Sequence, residues 1–81
     1  MASFSEASKD GESLTEKEHA DLLKDEGNEF FKKNNFNRAI EKYSSAIALY
    51  PDAVYYSNRA QCHIKNEDFG LAITDATDAI R

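Results

Sequence analysis

The 81-residue sequence has no tryptophan, one cysteine, one proline and three glycines. One thiol cannot close an internal disulfide, so no covalent staple holds this chain. So few turn-forming residues argue against a sandwich or barrel, whose short strands need frequent glycine and proline. No apolar run approaches the roughly 20 residues that cross a bilayer. Met1 to Glu6 carry neither the basic block nor the apolar block of a secretory signal. The sequence therefore reads as a soluble intracellular chain, expected in the cytoplasm and secondarily in the nucleus, with no membrane partner.

Positive charge is also short. Ten Lys and Arg stand against fifteen Asp and Glu, a net charge of −5. A phosphate backbone repels such a surface, so nucleic acid is not expected as a partner. Signatures of chemistry are missing too. Cys62 and His63 are adjacent, and neighbours on a helix point about 100° apart, which suits neither a nucleophile–base pair nor a shared metal. There is no C-x-x-C, no H-x-x-x-H and no glycine-rich phosphate loop. Enzyme activity, metal and cofactor are therefore not expected. Cys62 reads as a small buried hydrophobe and His63 as a core or groove histidine. Asp75 and Asp78, three apart, read as a solvated face.

What is present is helical. Residues 1–13 are rich in Ser, Glu and Ala and read as a flexible acidic leader. Ser13-Leu-Thr-Glu16 and Thr15-Glu-Lys-Glu18 both fit a capping box, in which a hydroxyl and a carboxylate satisfy free backbone N–H groups. A helix follows as far as Asn34-Asn35. A second carries Phe36, Ala39, Ile40, Tyr43, Ala46 and Ile47 at steps of three and four, one face of a helix. Pro51 ends it, and Asp52 is placed to cap a third helix from Val54 to about Lys65. A fourth starts near Phe69 and runs to the last residue. The short turns between them make neighbours antiparallel, an all-α arrangement of helical hairpins.

The sequence also copies itself. Leu23 and Tyr56, Gly27 and Ala60, Phe36 and Phe69, Ala39 and Ala72, Ile40 and Ile73, Ala46 and Ala79, and Ile47 and Ile80 all stand 33 residues apart. This period marks stacked hairpins, each too small to bury its own apolar face. Gly27, inside a helix, costs about 1 kcal/mol against alanine. A close approach by the partner helix would offset that. Phe30, Phe36 and Tyr43 would fill the space between helices.

Leu23-x-x-Glu-Gly27-x-x-Phe30, then Ala39-x-x-x-Tyr43, then Pro51, resembles the tetratricopeptide repeat. The second copy departs from the pattern: His63 replaces an aromatic and Ala76 stands where Tyr43 stood. The resemblance implies an α-solenoid fragment of about two repeats within residues 14–81. The first covers about 20–52; the second, truncated, covers about 53–81.

The stretches around Lys24, Asn28 and Asn58 are similar to the carboxylate clamp of co-chaperone tetratricopeptide domains. In that family the lysine and asparagines grip the terminal and side-chain carboxylates of an acidic chaperone tail ending Glu-Glu-Val-Asp. The resemblance thus implies Lys24, Asn28 and Asn58 as carboxylate-binding residues. Phe31, Lys32, Gln61, Ile64 and Lys65 are expected to line the same groove. The implied partner is the C-terminal peptide of a heat-shock chaperone. The family clamp is completed by a lysine and an arginine on a third repeat, which this chain does not reach. Phe69-Gly70-Leu71-Ala72 and Asp75-Ala76-Thr77-Asp78-Ala79-Ile80 look like the corresponding repeat of a serine/threonine protein phosphatase, implying a regulatory role. Three readings stand: a clamp for chaperone tails, a self-associating scaffold, and a segment covering a phosphatase site. In the second, a homodimer forms through the uncovered last helix bearing Ile73, Ala76 and Ile80.

Overall fold

Thr15 begins the helical part of the chain. Its hydroxyl accepts from the Glu18 N–H at 3.1 Å, and the Glu18 carboxylate accepts from the Thr15 N–H at 2.9 Å. This is one of the two capping boxes legible in the sequence, and it forms; the other begins at Ser13, outside the described residues. The structure, a computed structural model, describes residues 14–81; the acidic leader at 1–13 lies outside the described residues. Four helices follow in order: α1 (Glu16–Lys32), α2 (Phe36–Leu49), α3 (Ala53–Lys65) and α4 (Phe69–Ala79). The fold is all-α, as expected. Among the described residues no helix is long and apolar enough to cross a membrane.

The two hairpin turns are built alike. After α1, the Asn35 N–H reaches the Phe30 carbonyl and the Asn34 N–H reaches the Phe31 carbonyl, both at 2.9 Å. After α3, the Asp68 N–H reaches His63 at 2.7 Å and the Glu67 N–H reaches Ile64 at 2.9 Å. This double closure needs a left-handed residue after the helix. Asn34 supplies it at φ 62° and Glu67 at φ 61°. Asn tolerates that region through its short polar side chain, whereas Glu does so less readily. The link between hairpins, three residues like each turn, ends at Asp52, whose carboxylate accepts from the Val54 N–H at 2.8 Å and caps α3.

α2 is the central helix of the core. Ala46 packs with Ala20 of α1 and Tyr55 of α3, joined by Leu23, Ile47 and Leu49. Ala39 and Tyr43 pack with Cys62 of α3, joined by Phe30, Phe31, Phe36 and Ile40. The alanines let backbones approach, and the tyrosines fill what remains. Gly27 shows how close the approach is. A methyl group there would lie 2.6 Å from Tyr43 Cε1, well inside contact distance. The cost of a mid-helix glycine is thus matched by the packing of a buried ring against it.

Asp75 overturns the expectation of a solvated face. Its side chain is 5% exposed, and Arg59 of α3 grips it with two hydrogen bonds, of 2.7 and 2.8 Å. His63 Nε2 adds a contact at 3.4 Å, which places that histidine in the core. The planar guanidinium fork matches both carboxylate oxygens at once. Arg59 also donates to Ser44 Oγ at 2.9 Å, so one side chain binds α2, α3 and α4 together. α4 ends at Ala79, before the last residue. Its outward stripe is open, with Phe69 58%, Ile73 68% and Ile80 85% exposed.

Candidate functional site

The first helix of each hairpin, α1 and α3, stands beside the other across two polar bridges. The Tyr55 hydroxyl donates to Asp21. Seven residues further along α1, Asn28 Oδ1 receives Asn58 Nδ2 at 3.5 Å. Lys24 lies three residues after Asp21 and four before Asn28, on the same helical face. Lys24, Asn28 and Asn58 therefore belong to one wall formed by α1 and α3.

The donors on this wall are partly arranged in advance. Tyr43 of α2 donates its hydroxyl to Asn28 Oδ1, which also receives Asn58. With its oxygen so occupied, Asn28 turns its amide NH2 away from that contact, as a donor. Asn58 has a second N–H to give. Lys24 is part-buried at 26% side-chain exposure, and its ammonium lies 3.6 Å from the exposed Asp25 carboxylate. A pair with so exposed a carboxylate is weak and gives way to a better anion. Burial pushes the Tyr43 hydroxyl up to about 12, so it remains a donor through the neutral range. Asp21 is held below the usual carboxylate range, first by the Tyr55 hydroxyl and then by Lys17.

The expected groove-lining residues divide into two sets. Phe31 and Lys32 border a hollow of 360 Å³ with Asn28, Asp25 and Glu29. Phe31 is fixed there by an edge-to-face contact with Phe36, ring centres 5.3 Å apart. Lys32 is tied to Glu29 at 3.3 Å. Gln61, Ile64 and Lys65 lie exposed further along α3 and do not border that hollow. The two acids beside the hollow, Asp25 and Glu29, were not singled out in the sequence. They stand four apart, on one face of α1 beside Asn28. Among the described residues no group of three or more His, Cys, Asp or Glu is placed to hold a metal. Cys62 is fully buried, and burial pushes its thiol up to about 11.

Three known proteins show what this arrangement is similar to. The chain is 44% identical over 63 residues to the E3 ubiquitin-protein ligase CHIP of Arabidopsis thaliana, covering 76% of this chain and 23% of that protein. It is 45% identical over 62 residues to protein unc-45 homolog B of Xenopus laevis, covering 72% of this chain and 7% of that one. It is 44% identical over 62 residues to serine/threonine-protein phosphatase 5 of Homo sapiens, covering 75% and 12%. No family model and no solved structure matches the chain. The relatives contain tetratricopeptide repeats, which agrees with the resemblance read from the sequence, and the two hairpins described here have the paired-helix form of that repeat. The matching regions of those relatives are protein-interaction modules. The chain spans between 7% and 23% of the length of these relatives.

Proposed function

We propose that the wall between α1 and α3 binds the acidic C-terminal end of a partner polypeptide, with Lys24, Asn28 and Asn58 as its donors. The observation that carries this reading is the Asn28–Asn58 contact across the two helices, braced from behind by Tyr43. A chain end offers a backbone carboxylate and, where the last residue is Asp, a side-chain carboxylate a few ångströms away. One ammonium supplies charge; two amides supply directed donors. Hydrogen bonds to charged groups are worth about 1.5–3 kcal/mol each. Three of them, less the cost of immobilising the peptide, correspond to a Kd of roughly 0.1–1 mM. The resemblance to co-chaperone domains makes the tail of a heat-shock chaperone the natural partner, in the cytoplasm.

The test is a calorimetric titration of a peptide ending Glu-Glu-Val-Asp into the chain. Binding should weaken at least tenfold with Lys24→Ala and with a C-terminally amidated peptide. Equal affinity in all three titrations would remove the clamp from consideration.

A second reading is favoured by the 44% identity to a stretch of a protein phosphatase. In it this segment is the regulatory part of such an enzyme and covers its active site. Inhibition of a separate phosphatase catalytic domain by the added chain supports this; undiminished turnover at saturating chain argues against it.

A further inference from the structure

The two hairpins are copies, yet the contacts that close them are opposite in kind. In the first, Glu26 on α1 pairs with Lys42 on α2 at 2.9 Å. In the second, 33 residues on in both helices, Arg59 on α3 pairs with Asp75 on α4 at 2.7 Å. The positions are equivalent and the charges are exchanged. The next residue along each helix differs as well. Gly27 follows Glu26 and faces Tyr43, which follows Lys42; Ala60 follows Arg59, and Ala76 follows Asp75.

A self-copying sequence invites a particular error. A helix of one copy can take the equivalent place in a second copy, displaced by one repeat. Here that error meets two obstacles at adjacent positions. With α3 in the place of α1, Arg59 faces Lys42 and the Ala60 methyl enters the space of the Tyr43 ring, where a methyl at Gly27 would stand 2.6 Å from Cε1. With α1 in the place of α3, Glu26 faces Asp75, whose side chain is 5% exposed, and two carboxylates meet where water is scarce. Each first helix is therefore matched to its own second helix by one charge and one side-chain size.

We propose that Glu26-Gly27 with Lys42-Tyr43, and Arg59-Ala60 with Asp75-Ala76, form a pairing code that bars exchange with a second copy displaced by one repeat. It acts whether or not the groove binds a chain end. Asp75 in this role also has its second tie, His63, and Arg59 its second tie, Ser44, so the code is anchored on three helices.

The code is tested by erasing it while keeping each hairpin satisfied. Glu26→Arg alone should lower the folding equilibrium constant about fivefold, and adding Lys42→Asp should restore it. Adding Ala60→Gly to that pair gives both first helices Arg-Gly and both second helices Asp. Sedimentation velocity should then show a concentration-dependent dimer at concentrations where the parent is monomeric. Isotope-filtered spectra of a mixed sample should place residue 60 of one copy against Tyr43 of the other. A monomeric triple variant, or a dimer lacking that contact, overturns the code. Should the triple variant not fold, a milder comparison decides. Lys42→Asp offers α3 a false partner and Lys42→Ala does not, so the former should associate at least fivefold more tightly. Equal association of the two also overturns it.

Discussion

The hydroxyl of Tyr43 reaches from α2 to the side-chain oxygen of Asn28 on α1. One buried ring thus closes the first hairpin, excludes a side chain at Gly27 and orients an amide on the opposite surface. Tyr43→Phe separates these roles, because it keeps the ring and removes the hydroxyl. The expected loss of stability is about 1 kcal/mol, the net worth of one hydrogen bond. Affinity for an acidic chain-end peptide should fall three- to tenfold as Asn28 becomes free to turn. Urea unfolding and calorimetry read the two effects separately.

Asp75→Ala should be the more damaging change. It leaves the Arg59 guanidinium, 21% exposed, without its fork of acceptors and breaks the tie among three helices. Breaking a buried pair from one side costs about 3–5 kcal/mol. For so small a core that is comparable with the whole stability. Circular dichroism should show a chain largely unfolded at 37 °C.

The pH dependence has a definite sign on each side. Asp21 is held below its ordinary value of 3.8, chiefly by the Tyr55 hydroxyl. Its contribution is complete above that value and is lost as pH falls through the lower folded one. Tyr43 is raised from 10 to about 12 by burial, so its contribution is complete below pH 10 and is lost as pH rises toward 12. Thermal melts of the parent and Tyr55→Phe should differ at pH 5 and converge toward pH 2. Ultraviolet titration should find the Tyr43 phenolate forming only as the helical signal disappears.

Glu67→Gly should stabilise the chain. Glu67 holds φ 61°, a conformation that costs an ordinary residue about 1 kcal/mol and glycine very little. Its side chain is exposed, so nothing is lost by removing it. A gain of about 0.5–1 kcal/mol is expected from chemical denaturation. Asn34→Gly, at the equivalent turn, should gain less, since Asn already accepts this geometry.

The helices and their repeat were legible because they rest on local, periodic signals: small residues, aromatics and caps recurring at fixed steps. Gly27 was legible for the same reason, as a costly residue that needs a close neighbour. Asp75 was not. Its partner Arg59 is 16 residues away on another helix, and no period links an arginine to an aspartate across a turn. Spacing alone makes Asp75 and Asp78 look alike, yet one is gripped by Arg59 and the other is half-buried beside Arg81 at 3.7 Å. The groove shows the same division. Lys24 and Asn28 share a face by helical spacing, whereas the reach of Asn58 to Asn28 depends on how two helices stand together. Asp25 and Glu29 escaped notice because charged residues on an exposed helix are ordinary.

Cys62 gives this small chain a clock of its own. It is the single thiol in the sequence, sealed between α2 and α3, with its proton held up to about 11. A maleimide or disulfide reagent cannot touch it until the seam between the hairpins parts. The rate of its consumption therefore times each parting, molecule by molecule, without an added dye.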